Sequence, residues 1–268
     1  MKKVSLLLPL LVLFSFEMEA QFGLAFHADA GYAGSTVKTD ELPVFLAAYN
    51  SYNSVGLTKA YALKPGMASG KYFDFGFGVG GEKCKAFVNF GHYLVRTPHL
   101  EARFNTGEGR DIWVELHDAS TATEVRFELG RFTTGFQFDM IIRTVSVYSQ
   151  YVFPDDSRSF GSEHVLNGVY TSNRLQVGAG LSLGFRLVKG VYLMGKMDYV
   201  FQTDKSHPEY HQYEDLQDFR GLTQDYLPRD LAEYYNNPSN STGNSISNDI
   251  RGLRFNFGLQ IMLSTSTD

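Results

Sequence analysis

The chain has 268 residues, and its 24 Lys and Arg against 29 Asp and Glu give a formal net charge of -5. A mildly acidic chain without basic clusters lacks the electrostatic footprint of a nucleic-acid-binding protein. Its one cysteine, Cys84, excludes an internal disulfide, so a fold of this size must be held by its core or by its sheet.

The N-terminal residues have the pattern of a secretory signal peptide. Met1, Lys2 and Lys3 form a short basic region, and residues 4–16 are an almost unbroken apolar run. This run is shorter than the roughly 20 apolar residues that a membrane-spanning helix needs. We therefore predict an exported protein, with a signal peptide over residues 1–20 that is cut after Ala20 and one mature domain over residues 21–268.

Alternation with a period of two begins directly after the predicted cleavage point. One set of alternate positions is large and apolar: Phe22, Leu24, Phe26, Ala28, Ala30 and Tyr32. The set between them is small or polar: Gly23, Ala25, His27, Asp29, Gly31 and Ala33. Successive side chains of a β-strand point to opposite faces, so this pattern predicts a strand with one apolar face.

Similar alternation recurs over residues 71–82, 174–188, 190–203 and 251–264. A strand of about 13 residues reaches about 40 Å at roughly 3.3 Å per residue. A tilted membrane strand needs about 9–11 residues, whereas strands of soluble proteins usually have about 5–6. The lengths favour strands that cross a membrane.

Two architectures are compatible with this alternation. A soluble β-sandwich or lipocalin-like barrel would have to bury nearly all of the Phe and Leu residues in its interior. A membrane barrel instead directs Phe and Leu to lipid and places Gly and charge in a narrow lumen. The membrane barrel fits better, because short turns at 81–83 and 188–190 are paired with long connections at 35–70, 154–173 and 203–249.

The number of strands depends on residues 84–153. Three long strands, over 84–104, 111–132 and 134–153, give a total of eight, with interruptions at Pro98 and at residues 119–123. If residues 99–105 and 110–118 are separate strands, the total is ten. Residues 99–105 are too few to span a membrane, so eight strands are preferred. The alternation also changes phase between Ile142 and Val145, which predicts a β-bulge near Arg143.

The inner face of the predicted barrel carries charge of both signs. The predicted lumen network consists of Asp29, Asp74, Arg126, Glu128, Arg174, Arg186, Lys196, Asp198 and Arg254. Further inward candidates by phase are Glu101, Arg103, Glu115, His117 and Asp139. The interior of an eight-stranded barrel is just wide enough for side chains to fill, and an unpaired buried charge is costly. We therefore expect these charges to pair and to close the lumen.

Three motifs could indicate chemistry, and for each a structural explanation is favoured. Residues 76–81 match G-x-G-x-x-G, but they lie within a strand instead of opening a helix, so no nucleotide site is predicted. His207, Glu209 and His211 could bind a metal ion, but Pro208 opposes a helix that would align the histidines. His27 and Asp29 have no readable nucleophile beside them and are expected to hydrogen-bond within the lumen. We predict no enzymatic activity, no cofactor and no metal.

One short helix is predicted in the first long connection, over residues 40–54. Asp40 is the expected cap, Pro43 falls in the first turn, and Leu42, Phe45, Leu46 and Tyr49 share one face. The helix could lie over the barrel mouth or contact lipopolysaccharide, and stabilisation of the loop is the favoured role.

The signal peptide, the alternating strands and the terminal strand over residues 253–263 together resemble the bacterial outer-membrane β-barrel superfamily, of the small porin-like or OmpA/OmpX-like kind. The resemblance implies an all-β, antiparallel up-and-down transmembrane barrel in the bacterial outer membrane, monomeric and in contact with lipid, lipopolysaccharide and the outer-membrane assembly machinery. Such barrels often end on an aromatic residue, whereas this chain continues through residues 264–268.

Two functions remain open at this stage. The first is a structural or interaction barrel with a filled lumen, whose loops contact ligands or partners. The alternative is a porin-like transporter of small or apolar solutes. The expected pairing of charges in a narrow lumen favours the first.

Overall fold

The structure is a computed structural model that describes residues 23–161, 164–201, 211–213, 222–237 and 243–265. Within these ranges the elements in chain order are β1 Gly23–Ser35, α1 Leu42–Tyr52, β2 Leu57–Lys59, β3 Ala68–Gly80, β4 Cys84–Arg96, β5 Leu100–Phe104, β6 Gly109–Leu129, β7 Phe132–Val152, β8 Arg158–Ser159, β9 Gly168–Val188, β10 Val191–Phe201, β11 His211–Tyr213, β12 Leu222–Tyr226, α2 Leu231–Asn236 and β13 Gly252–Ser264. Neither helix in this part of the chain is long and apolar enough to cross a membrane. The predicted signal peptide lies outside the described residues.

Eight of the strands close into a ring of antiparallel pairs. The order around the ring is β1, β3, β4, β6, β7, β9, β10 and β13, and β13 pairs back onto β1. Ala25 near the start of β1 lies opposite Ser264 at the end of β13, so both ends of the barrel are on the same side. The prediction of an all-β, antiparallel up-and-down barrel is confirmed, and the ring has the eight strands that the sequence favours.

The two ends of the ring differ strongly. At one end, tight connections join β3 to β4, β6 to β7 and β9 to β10. At the other end, the connections carry the five short strands and both helices. Residues 100–104 form the separate strand β5, which pairs with β2 and with the start of β6 beyond the ring, and residues 110–118 belong to β6 itself. This arrangement explains why the sequence also allowed ten strands.

Two predicted irregularities are wrong. Pairing of β7 with both β6 and β9 keeps one register across Ile142, Arg143 and Val145, so there is no bulge near Arg143. Strand β6 is also continuous across residues 119–123. The alternation only looked broken because the inward positions change from polar to apolar along β7, where Ile141, Val145 and Val147 are buried.

The outer face of the ring carries a belt of exposed large apolar side chains. It includes Leu24, Phe26, Phe73, Phe75, Phe77, Phe136, Phe138, Met140, Ile142, Leu181, Leu183, Met197, Phe257, Leu259 and Ile261. On β7 the belt runs from Phe132 to Ile142. That distance is about 33 Å along the strand at roughly 3.3 Å per residue, or about 25 Å along the barrel axis at a strand tilt of about 40°.

Helix α1 closes the mouth of the barrel at the end with long connections. Its side chains Leu42, Phe45, Leu46 and Tyr49 are buried, as the sequence predicts. They pack against inward apolar residues of the long strands and against the last connection: Val95, Val114, Leu116, Val145, Val147, Tyr170, Leu227, Leu231, Ile246 and Ile250. The helix therefore lies over the barrel mouth.

The start of α1 differs from the prediction. Glu41, and not Asp40, occupies the capping position, and its side chain makes no capping hydrogen bond. The hydroxyl of Thr39 instead accepts a hydrogen bond from the Leu42 N–H at 3.3 Å. The Asp40 carboxylate is held by Arg251 at 2.9 Å, so it is unavailable as a cap. A second helix, α2, begins at the side-chain cap Asp230 and was not predicted.

Candidate functional site

The lumen contains two groups of buried charges, at different heights. The lower group, here called the lysine cluster, centres on Lys196 of β10. Its Nζ lies 3.2 Å from Asp74 Oδ2 and 3.5 Å from Asp29 Oδ2. The other carboxylate oxygen of Asp29 accepts a hydrogen bond from the Tyr72 hydroxyl at 2.6 Å. All four side chains point inward from strands β1, β3 and β10 and are buried.

A second ion pair extends the lysine cluster across the lumen. Arg126 Nη2 donates to Glu124 Oε2 at 3.0 Å, and Arg126 Nη1 donates to Gln260 Oε1 at 2.6 Å. Asn89 also donates to Glu124, at 2.8 Å. His27 lies between Asn89 and Gln260, with ring nitrogens 3.0 and 3.1 Å from their amide atoms. The imidazole is thus engaged on both sides.

The upper group, here called the arginine cluster, centres on Arg254 of β13. Its Nε donates to Asp198 at 2.8 Å and its Nη2 donates to Asp139 at 2.7 Å. Asp118 lies 3.5 Å from Nη1 and also accepts two hydrogen bonds from Arg143, at 2.6 and 2.7 Å. Arg254 is further stacked 4.0 Å from the ring centre of Tyr93.

These contacts fill the ring with paired charge. Arg126, Arg143 and Arg254 are among the largest fully buried side chains of the described residues. Burying an ion costs several kcal/mol unless a partner and further hydrogen bonds compensate, and breaking such a pair costs about 3–5 kcal/mol. Each guanidinium here has at least one carboxylate within salt-bridge distance. The guanidinium and carboxylate groups of the lumen therefore bridge strands of the ring.

The structure brings six of the nine predicted lumen residues into the two clusters: Asp29, Asp74, Arg126, Lys196, Asp198 and Arg254. Glu128 pairs with Lys85 at 3.6 Å, nearer the end with short turns. Arg174 donates to the main-chain carbonyl of Asn248 at 2.6 Å and so ties the last connection to the wall. Arg186 is half-buried at the short-turn end, apart from both clusters.

Of the five further inward candidates, Asp139 is confirmed as a member of the arginine cluster, and the other four are wrong. Because β6 is continuous, its even-numbered residues face inward throughout, which buries Asp118 and Glu124. Glu115 and His117 consequently face outward. Glu101 and Arg103 lie on β5, beyond the ring. Asp118, Glu124 and Arg143 were missed because an interruption was assumed at residues 119–123 and a bulge at Arg143.

The three motifs of the sequence are placed as follows. Glycines 76, 78 and 80 belong to β3, and a Cβ at Gly76 would collide with the side chains of His27 and Asn89. His27 and Asp29 do not bond to each other. Of the possible metal-binding loop residues, His207 and Glu209 lie outside the described residues, as does the side chain of His211. Among the residues that the structure describes, no group of three His, Cys, Asp or Glu is placed to hold a metal ion.

The mouth of the barrel is closed by polar contacts as well as by apolar packing. The Tyr61 hydroxyl donates to the carbonyl of Arg110 at 3.1 Å. Burial raises the pKa of Tyr61 well above its ordinary value of 10.0, so this phenol stays neutral and donates. The guanidinium of Arg110 donates to Ser149 and Asn167 at 2.8 and 3.0 Å. These bonds join the first connection to the extended strands β6 and β7.

Fold and lumen together define the class: an eight-stranded antiparallel barrel with an apolar outer face and an interior lined with paired charges. Among solved structures, the crystal structure of Neisserial surface protein A (NspA) is similar, with a TM-score of 0.35 and 10% sequence identity over 90% of this chain and 95% of that chain. No protein-family model matches the chain, and no curated protein matches it.

Proposed function

We propose that this protein is an integral protein of the bacterial outer membrane, which acts as a structural or interaction barrel with a side-chain-filled lumen. The observation that carries the proposal is the belt of exposed Phe, Leu, Ile and Met around a closed ring. Soluble monomers rarely expose continuous apolar patches larger than a few hundred Å². A belt of about 25 Å matches the apolar band of membrane barrels.

The direction of insertion follows from the connections. Membrane barrels of this kind place short turns in the periplasm and long loops outside. The tight turns at Gly130 and Gly190 would then be periplasmic, and α1 with β5 and α2 would be external. The external part is well packed, since Phe45 and Leu46 of α1 are fully buried. It can therefore present a defined surface to a ligand or partner.

Pairing of the lumen charges favours an interaction barrel over a porin-like transporter. The lysine and arginine clusters cross the lumen between strands that are three positions apart in the ring of eight, as in the contacts of Lys196 with Asp74 and of Arg254 with Asp139. A transported solute would have to displace these ion pairs. Catalysis is not part of the proposal, because His27 is already bound by Asn89 and Gln260.

The test is reconstitution of the mature chain into phosphatidylcholine vesicles. We expect the protein to float with the vesicles, to migrate differently on SDS gels before and after heating, and to show no large steady conductance in planar bilayers. Phe257→Asp, in the belt, should reduce insertion, whereas Asn173→Asp, on the outer face of β9 above the belt, should not.

Each readout has a contrary result. A chain that stays in the aqueous phase, or equal insertion of both variants, would contradict the membrane proposal. Large stable openings, or swelling of vesicles that depends on solute size, would favour the transporter and contradict the filled lumen. Deletion of residues 36–67 with unchanged binding to cells or partners would contradict the role of the external connections.

A further inference from the structure

The outer wall of β3, β4 and β6 carries a group of basic side chains around one leucine. Leu94 of β4 lies opposite Lys71 of β3 and opposite His117 of β6. His92 and Arg96 flank Leu94 on β4 itself. All of these side chains face outward and are exposed or half-buried. Directly opposed residues have Cβ atoms about 4.5–5.5 Å apart, and residues two apart on a strand are about 7 Å apart. Four nitrogen-bearing groups can therefore reach one ligand; we call them the basic cluster.

Arg96 is held in place before any ligand arrives. Its guanidinium carbon lies 4.3 Å from the ring centre of Trp113, and its Nε lies 3.8 Å from Glu115 Oε1. His117 Nε2 is 3.6 Å from the other oxygen of Glu115. A stacked and paired guanidinium loses little freedom on binding and still has further N–H groups to donate. Glu115 therefore positions Arg96 and His117. Its single negative charge is smaller than the combined positive charge of Arg96 and Lys71, so the basic cluster is net positive.

The basic cluster lies at the upper edge of the apolar belt. His92 shares a register row with Phe73 and, through Ala119, with Ile142, the last large apolar residue on the outer face of β7. One row higher, His117 lies opposite the polar Thr144. In the proposed orientation this is the level of the headgroups of the external leaflet.

Along the described part of this row, positive charge occurs on β3 and β6 and not on β7 or β9. The row of Lys71, Leu94 and His117 continues onto β7 and β9 with Thr144 and Asn173, which are uncharged. A ligand attracted by charge would thus bind at β3, β4 and β6 in preference to β7 and β9.

A shallow groove leads from the basic cluster down the belt. The outward positions of β6 are Ala119, Thr121 and Thr123, all small and exposed. Thr121 lies between Phe90 on β4 and Met140 on β7, which form the walls of the groove. Phe90 also stacks on Phe75 at 5.4 Å, so the β4 wall is reinforced. The groove runs along β6 from the basic cluster towards the middle of the apolar belt, which is the direction that an acyl chain takes from its headgroup.

We propose that this wall is a docking site for a phosphate-bearing lipid of the external leaflet, an inference that rests on the proposed insertion into the outer membrane. The lipid phosphate binds Arg96 and Lys71, with His92 and His117 as further donors. One acyl chain lies along Ala119 and Thr121. Guanidinium and ammonium groups are the usual protein partners of phosphate, and the fork of an arginine can bind two phosphate oxygens at once.

The test uses the full mature chain in neutral detergent micelles, titrated with diphosphoryl lipid A or with the same lipid after removal of its phosphates. Bound lipid is counted by native mass spectrometry. The chain has one tryptophan, so its emission reports directly on the contact between Trp113 and Arg96. Loss of one charge-assisted hydrogen bond corresponds to about tenfold in affinity. We expect Lys71→Gln and Arg96→Gln each to weaken binding of the phosphorylated lipid by about tenfold, and Arg131→Gln, on the short-turn end, to leave it unchanged.

Several results would overturn the docking site. They are equal binding of the two lipids, equal effects of Arg131→Gln and Arg96→Gln, or the same change in tryptophan emission with inorganic phosphate alone. Failure of the proposed function is detected independently, because membrane insertion is measured by vesicle flotation of the same preparation. A chain that inserts without preferring the phosphorylated lipid overturns the docking site alone, and a chain that does not insert overturns both.

Discussion

Among the described lumen cations, Arg254 has the most carboxylate partners, with three. Its guanidinium donates to Asp198 and Asp139 at 2.8 and 2.7 Å and lies 3.5 Å from Asp118. Replacement by methionine keeps the bulk against Tyr93 and removes the charge. Asp118 would keep its two bonds to Arg143, and Asp198 would keep its bond to Gln137.

The cost should therefore fall mainly on one carboxylate, Asp139. Its Oδ2 would lose its donor, and its Oδ1 has no hydrogen-bond partner among the described residues. Removing one partner of a buried ion pair costs about 3–5 kcal/mol. We expect Arg254→Met to lower the free energy of unfolding by about that amount. Arg131→Met, at an exposed turn, should change it by less than about 0.5 kcal/mol.

The assay is equilibrium unfolding in urea of the protein reconstituted in vesicles, followed by far-UV circular dichroism. The double variant Arg254→Met with Asp139→Asn removes the uncompensated charge, so it should be more stable than the sum of the two single effects by about 1–3 kcal/mol. Strict additivity, or an Arg254→Met protein as stable as the wild type, would refute the view that this ion pair holds the lumen.

Three further changes test other parts of the molecule. Phe45→Ala should lower the free energy of unfolding by about 3–5 kcal/mol and speed proteolysis of the first connection, because it opens a cavity in the mouth. Proteolysis at the wild-type rate would contradict this. Gly76→Ala should cost about 1–3 kcal/mol in urea unfolding through overpacking against the lumen side chains, whereas Gly195→Ala, whose Cβ would make only ordinary van der Waals contacts, should be neutral. The Lys59 ammonium, 2.7 Å from Glu101, lowers the pKa of that carboxyl below its ordinary value of 4.5, so the pair contributes above that pH and is lost as pH falls through the lowered pKa. The protection of β2 and β5 against amide exchange, expressed relative to the intrinsic exchange rate at each pH, should then fall in acid. Lys59→Gln should weaken that dependence, while Arg103 still lies 3.7 Å from Glu101.

Much of the architecture was readable from the sequence, because period-two alternation is a local property of the chain. The outward and inward faces of β1, β3, β9, β10 and β13 follow from it directly. The predicted helix over residues 40–54 was found at Leu42–Tyr52, with the predicted face buried. The placement of Asp29, Asp74, Lys196 and Arg254 inside the ring is part of the same result.

Prediction failed where an inward face changed character along a strand. On β6 and β7 the inner positions turn from charged to apolar where the strands leave the belt and pack against α1, as at Leu116 and Val145. In the sequence alone, that change looks like a shift in the phase of the alternation. It led to the false bulge at Arg143 and to the wrong orientation of Glu115.

The sequence by itself thus determined the class of strand, the apolar belt and the charged lumen, since each depends on neighbours two residues apart. Tertiary structure alone decided which charges meet. Arg254 and Asp139 are 115 residues apart in the chain, and Lys196 and Asp74 are 122 apart. Only the closure of the ring and the register of its pairs bring such residues within hydrogen-bond distance. The same pairing gathers Lys71, Arg96 and His117 on one outer wall, where no local pattern marks them as a group.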